Sequence, residues 1–126
     1  MKIRITTTLV ALTMIFASSS VFADSYSAVY TCKLKEGKKK EEVQAINSNW
    51  IKWVHKNVSK DITSSVGTAV IGNQDVFMFV DTYPDLNTWA AATTALDSEA
   101  ASELEDMFST VSTCSKNSLW KFEPTE

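Results

Sequence analysis

The period of the hydrophobic residues changes repeatedly along the chain, and this feature most limits what the chain can fold into. Ser27–Leu34 (SAVYTCKL) is rich in β-branched and aromatic residues and predicts a first strand. Over Lys38–Asn57 the apolar residues recur at helical spacing, with lysines on the opposite side. This second segment therefore predicts an amphipathic helix whose inward stripe is Val43, Ile46, Trp50, Trp53 and Val54.

The second half of the chain repeats the pattern with one more strand. The predicted elements are a strand over 62–71, a turn at 72–75, a strand over 76–80, a helix capped by Asp85, a further helical piece over 100–111 after a break at 97–98, and a strand over 118–122. The order β-α-β-β-α-β is that of the ferredoxin-like fold. We therefore expect an α+β domain with a four-stranded antiparallel sheet, central first and third strands, and helices on one face.

The start of the chain has the pattern of an export signal. Lys2 and Arg4 precede an apolar run over Leu9–Ala17, and a small-residue stretch ends at Ala23. We expect residues 1–23 to be a signal peptide and 24–126 to be one domain. The apolar run is too short to span a bilayer, so no membrane association is expected after signal removal. The expected location is exported, either periplasmic or secreted.

Charge and composition exclude several functions. Removing 1–23 takes away Lys2 and Arg4 but no acid, so the formal charge moves from −3 to −5 and no arginine remains. Such a chain lacks the arginines and the positive charge that usually bind phosphate groups, and we expect no nucleic-acid partner. Two cysteines and one histidine are too few for a zinc site. Without a ligand cluster or a phosphate loop, we expect neither a metal nor an organic cofactor.

The two cysteines, Cys32 and Cys114, both lie in the mature chain. In an exported protein an even cysteine count favours a disulfide over two buried thiols. Cys32 is late in the first strand, and Cys114 precedes the predicted fourth strand by a few residues. In the expected topology these two places are close, so the disulfide and the fold support each other.

The third strand, over 76–80 (VFMFV), has no polar face. When helices cover only one side of a sheet, half of these side chains face water in a monomer. We expect a homodimer formed through this open face, with an apolar ligand or a partner protein as the alternative cover.

The segment VGTAVIGNQDVFMFVDTYPDLNTWAAA, residues 66–92, carries a resemblance. With the element order and chain length, it resembles the dimeric α+β barrel superfamily of antibiotic-biosynthesis-monooxygenase-like and stress-responsive barrel proteins, at the level of topology. The resemblance implies a cavity between sheet and helices for small, often aromatic, molecules. Chemistry in that superfamily ranges from cofactor-free oxygenation through haem degradation to polyketide cyclisation, and some members have no known activity.

The catalytic residues of that superfamily have few counterparts in this sequence. Haem-degrading members use an Asn on the first strand and a His on the second helix, whereas this first strand has no Asn and the sole histidine, His55, is on the first helix. Cyclase-like members rely on several histidines together with a tyrosine. Haem degradation is therefore disfavoured, and the cyclase interpretation is weakened.

His55 is nevertheless the default candidate for proton transfer, because its ordinary pKa is near neutrality. A solvated or carbonyl-bonded histidine is the simpler interpretation. Trp53 and Trp89 are candidates for an aromatic pocket, with core packing as the alternative and as the stronger interpretation for Trp50. Asp81 and Tyr83, expected just after the third strand, are candidates at the cavity mouth, with loop solvation and helix capping as the alternative.

Two functions follow from these observations. The first is an exported dimeric protein that binds a small, partly apolar molecule, with a cofactor-independent monooxygenase-like or cyclase-like activity as its enzymatic form. The second is a non-catalytic structural or interaction module that uses the sheet face for self-association or partner binding. An enclosed cavity of a few hundred Å³ reached by His55 or Tyr83 would favour the first.

Overall fold

The elements follow the predicted order. The structure, a computed structural model, describes residues 24–125, so the predicted signal segment 1–23 lies outside the described residues. A short 3₁₀ turn at Glu99–Ala101 separates the second and third helices. The elements are β1 (Ser25–Leu34), α1 (Lys40–Asn57), β2 (Thr63–Thr68), β3 (Phe77–Tyr83), α2 (Leu86–Leu96), α3 (Ser102–Val111) and β4 (Ser112–Phe122).

The four strands form one antiparallel sheet in the order β2-β3-β1-β4. Strands β1 and β3 are central, and β4 pairs with β1, as the ferredoxin-like prediction requires. In the β1–β3 register, Ala28 lies opposite Asp81 and Tyr30 lies opposite Phe79. Ser64 of β2 lies on the other side of Asp81. The predicted α+β fold with a four-stranded antiparallel sheet is therefore confirmed.

Local sequence explains where the helices begin. The Asp85 carboxylate accepts a 2.7 Å hydrogen bond from the Thr88 backbone N–H, which caps α2 as predicted. This hydrogen bond also lowers the pKa of Asp85. At the start of α1, the Glu42 carboxylate accepts from the Lys39 N–H at 2.7 Å. Each cap satisfies a backbone donor that the helix itself leaves unpaired.

The core lies between the helices and one face of the sheet. One cluster joins Ala28 and Tyr83 of the sheet to Trp50, Val54, Ala92 and Leu104 of the helices. A second cluster joins Cys32, Phe77 and Phe79 to Val43 and Val111. Tyr30 and Phe108 pack against both clusters. These strand residues are spaced two or four positions apart along β1 and β3, and side chains at such spacing point to the same side of a sheet.

Three strand boundaries differ from the predicted ones by three residues or more. Strand β2 ends at Thr68 rather than at 71, and β3 runs on to Tyr83 instead of ending at 80. Strand β4 begins at Ser112 rather than at 118, so Cys114 lies inside it and not before it. The segment 112–117 (STCSKN) is mostly exposed and has no apolar alternation, so only its pairing with β1 makes it a strand.

The predicted disulfide between Cys32 and Cys114 is confirmed. The two residues face each other across β1 and β4, next to a register shift at Thr31/Cys32. Cys32 is fully buried beneath α1 and α3. The bridge therefore fixes an edge strand to a central strand across a sequence separation of 82 residues.

Loss of this bridge should lower the free energy of unfolding by about 2–5 kcal/mol, because it closes a long loop in the unfolded chain. We expect this decrease in urea unfolding of Cys32→Ala/Cys114→Ala relative to the wild type. The reduced wild type is the matched comparison and should behave like the double variant. Equal unfolding midpoints for all three proteins would contradict this account.

Candidate functional site

A cavity of about 360 Å³ lies where the two core clusters meet, between the sheet, α1 and α3. Its walls combine aromatic side chains with a few polar ones. Tyr30, Phe79 and Asp81 come from the sheet, and Asn47 and Trp50 come from α1. The remaining lining residues are Leu96, Glu105, Phe108, Ser109, Ser112 and Cys114. A cavity of this size and character is typical of small-molecule sites.

Asp81 is the buried carboxylate of this cavity, with only 7% of its surface exposed. Its Oδ1 accepts a hydrogen bond from the Ser64 hydroxyl. That hydroxyl accepts in turn from the Asn47 side-chain amide at 3.0 Å. Asn47 is itself buried on α1, so a chain of hydrogen bonds crosses from helix to β2 to β3 and fixes the orientation of the carboxyl group.

Burial raises the pKa of Asp81 above its usual value of 3.8. The Ser64 hydrogen bond and the nearby Trp50 indole partly oppose this effect. The Trp50 N–H is close enough to lower the pKa, but it is buried and has no acceptor at hydrogen-bond distance and geometry among residues 24–125. The cavity wall therefore holds a carboxyl group that is costly to ionise beside a donor that is not satisfied.

Two tyrosines surround the same carboxyl group. Burial and then the Asp81 charge raise the pKa of Tyr30. Burial, Asp81 and Tyr30 together raise the pKa of Tyr83 more strongly. Both phenols consequently keep their protons at neutral pH. They present O–H groups and not phenolates toward this part of the interior.

Among the residues predicted for the site, Asp81 lines the cavity. Asp81 and Tyr83 both lie within β3 and not in a loop after the strand. Tyr83 is buried in the core beside the cavity and is not among its lining residues. The expected place of both residues after the third strand was therefore wrong, because a carboxyl group held by Ser64 can continue a buried strand face.

The other predicted site residues lie away from the cavity. The Nε2 atom of His55 is 2.7 Å from the backbone carbonyl of Ile62, and the ring is half-buried at the far end of α1. Trp89 packs against the core cluster from α2. Trp53 stacks on Trp50, with ring centroids 6.0 Å apart. The structure thus brings Trp50, which the sequence assigned to core packing, to the cavity wall, and leaves His55, Trp53 and Trp89 outside its lining.

Sequence reasoning missed several residues that form or support the site. Asn47 occupies an inward position of α1, between Val43 and Trp50, and a polar residue on an apolar stripe was the available clue. Phe108 of α3 makes an edge-to-face contact with Phe79, with centroids 5.1 Å apart. Ser64 lies in a strand of small polar residues, where nothing local indicates which one reaches a carboxyl group.

Residues 24–125 contain no group of three or more His, Cys, Asp and Glu side chains that could hold a metal ion. In the same part of the chain, no helix is both long enough and apolar enough to cross a membrane.

The fold recurs in solved structures of low sequence identity. SnoaB, a cofactor-independent oxygenase from Streptomyces nogalater, superposes with a TM-score of 0.61 at 10% identity, over 82% of this chain and 97% of that one. A NIPSNAP family protein from Agrobacterium tumefaciens gives 0.57 at 11% identity, over 82% and 89%. A Caulobacter crescentus protein proposed to be an antibiotic biosynthesis monooxygenase gives 0.54 at 9% identity, over 83% and 93%.

No protein-family model matches the chain, and no curated protein matches its sequence. The chain has the fold of the antibiotic-biosynthesis-monooxygenase-like proteins. The resemblance expected from residues 66–92 is confirmed for the fold. At about 10% identity the similarity is one of fold alone, so chemistry has to be argued from the side chains.

The raised pKa of Asp81 makes a prediction for Asp81→Asn. Between the unfolded pKa near 3.8 and the higher folded pKa, the folded wild type holds a proton that the unfolded chain has lost. The contribution of Asp81 to stability therefore falls as pH rises through this window, by at most about 1.4 kcal/mol per pH unit. Asn does not titrate, so the stability of Asp81→Asn minus that of the wild type should increase with pH over this range.

Urea unfolding of both proteins at a series of acidic pH values measures this difference. Asp106→Asn, which removes an exposed carboxylate of α3, is the matched control and should lack this increase. A stability difference for Asp81→Asn that is constant with pH, or that decreases, would show that the carboxyl group is not buried as described.

Proposed function

We propose that this protein is exported, is dimeric through the open face of its sheet, and binds a small, partly apolar molecule in the cavity at Asp81. The single observation that carries the binding proposal is the pairing of a buried carboxyl group with an unsatisfied indole N–H in an aromatic cavity. Polar groups left incompletely bonded in an interior are costly unless a ligand or water completes them. A ligand with an apolar body and one polar end satisfies both parts of the wall.

The enzymatic form of the proposal is a cofactor-independent oxygenase-like or cyclase-like reaction. Asp81 is better placed than His55 to move a proton in such a reaction, because it lines the cavity and burial raises its pKa above the usual value. The Nε2 of His55 is already engaged by the Ile62 carbonyl. SnoaB, which shares the fold, is a cofactor-independent oxygenase, and this supports the reaction class by analogy of fold only.

Filling the cavity should abolish ligand retention. Phe108→Trp enlarges a side chain of the lining, whereas Phe122→Trp makes the same exchange at an exposed position of β4. Native mass spectrometry of protein purified from its source should show an added small-molecule mass on the wild type and on Phe122→Trp, and should lose it on Phe108→Trp. No added mass on the wild type, or the same occupancy on Phe108→Trp, would contradict the binding proposal.

The open face of the sheet supports the dimer part of the proposal. Met78 and Val80 of β3 point away from the helices and lie beside Val29 of β1. Trp120 and Phe122 of β4 are on the same face and are 54% and 53% exposed. Large apolar side chains grouped on one exposed face mark interaction surfaces. A second copy of the chain is the simplest cover, and a partner protein corresponds to the alternative function as an interaction module.

A charge on this face should dissociate the dimer. Met78→Lys places an ammonium at the centre of the proposed interface and should weaken dimerisation by at least about tenfold, because a charge buried without a partner is costly. Ile71→Lys is the control, since Ile71 is 93% exposed in the β2–β3 loop. Sedimentation velocity should give a wild-type dimer, a Met78→Lys monomer and an Ile71→Lys dimer. A monomeric wild type would remove the dimer from the proposal.

A further inference from the structure

The charges of the cavity wall are all of one sign. Asp81 and Glu105 are its ionisable carboxyl groups, and no lysine or histidine belongs to the lining. The cations of the ion pairs within residues 24–125 are Lys38 and Lys121, and neither of them pairs with Asp81 or Glu105. A carboxyl group in an interior is normally paired with a cation or fully hydrogen-bonded. Asp81 has one hydrogen-bond donor, Ser64, on its Oδ1 and no partner on Oδ2 among the described residues.

The aromatic residues around the cavity suit the same kind of ligand. Trp50, Tyr30, Phe79 and Phe108 contribute rings from α1, β1, β3 and α3. The faces of such rings attract cations through their negative quadrupole, most strongly when water is excluded. The same rings supply apolar area for a hydrocarbon body. The wall therefore favours a ligand that is positively charged at one end and apolar elsewhere.

We propose that the cavity binds an organic ammonium ion, with the charged nitrogen at Asp81 and the apolar part against the four aromatic rings. This inference rests on the proposed function of the cavity and names the class of its ligand. The ammonium N–H groups donate to Oδ2 of Asp81, while Ser64 and Asn47 keep the carboxyl group in its orientation. Glu105, exposed on α3, adds a second negative charge where the cavity opens.

The surrounding titratable groups agree with this assignment. Tyr30 from β1 and Tyr83 from its own strand are close enough to Asp81 for its charge to raise their pKa, and Glu105 from α3 lines the same cavity. Both tyrosines keep their protons and are therefore neutral, so Asp81 and Glu105 remain the charged groups of this wall. An anionic ligand would meet Asp81 and Glu105 with no cation in the lining to compensate. A neutral ligand could donate a hydrogen bond to Asp81 but would form no ion pair with it.

Three probes with one skeleton test the charge preference directly. They are 3-phenylpropylammonium, 3-phenylpropan-1-ol and 3-phenylpropanoate, titrated into the full wild-type protein at neutral pH by calorimetry. We expect the ammonium probe to bind at least about tenfold more tightly than the alcohol, because only the ammonium ion adds an ion pair to its hydrogen bond with Asp81. The carboxylate probe should bind most weakly.

Two variants test whether Asp81 causes the preference for the ammonium probe. Asp81→Asn should reduce the ratio of ammonium to alcohol affinity to about twofold. The control is Asp106→Asn, which removes an equal charge outside the lining, on the same helix as Glu105. It should leave the ratio unchanged. Because the ratio is first measured on the wild type, the inference stays falsifiable if Asp81→Asn fails to fold. Equal binding of ammonium and alcohol would overturn the ammonium inference and leave the cavity proposal standing. Binding of none of the three probes would count against both.

Discussion

In β3, successive side chains point to opposite sides of the sheet, and this alternation determines both surfaces on which the proposals depend. Phe79 and Asp81 point toward the helices and form part of the cavity wall. Met78 and Val80, which alternate with them along the strand, point to the open face. A register slip of one residue would exchange the two sets and leave Asp81 on the open face. The pairing of β3 with β1 on one side and β2 on the other prevents such a slip.

Burial of the Asp81 carboxyl group is tolerated because three side chains from β2 and α1 surround it. Ser64 from β2 donates to it, Asn47 from α1 orients Ser64, and the Trp50 indole lies nearby. This support is incomplete, since one carboxyl oxygen and the indole N–H remain without partners in residues 24–125. A polar group that is firmly oriented but only partly satisfied is a suitable arrangement for a ligand site, because orientation costs nothing further on binding.

Local patterns in the sequence were sufficient for the element order, the sheet topology, the Asp85 cap and the disulfide. They were not sufficient for the site. Asp81 looked like the residue after a strand because a charge ended the apolar run. Its pairing with Ala28 of β1 and Ser64 of β2, both distant in sequence, makes it a strand residue. Trp50 and Trp53 have equivalent positions in the helical pattern, and which one reaches the cavity depends on how α1 packs against the sheet. Strand β4 was predicted too short for the same reason, since its first half is a strand only through its pairing with β1.

The central claim is that Asp81 is a buried carboxyl group in a ligand cavity, and a carbon-13 NMR titration of its side-chain carboxyl carbon tests it most directly. In the free protein the midpoint should lie above the usual 3.8, as burial requires. Saturation with 3-phenylpropylammonium should lower this midpoint, because a cation favours the ionised form. A midpoint at or below 3.8 in the free protein, or one that does not move when the probe is bound, would contradict the account.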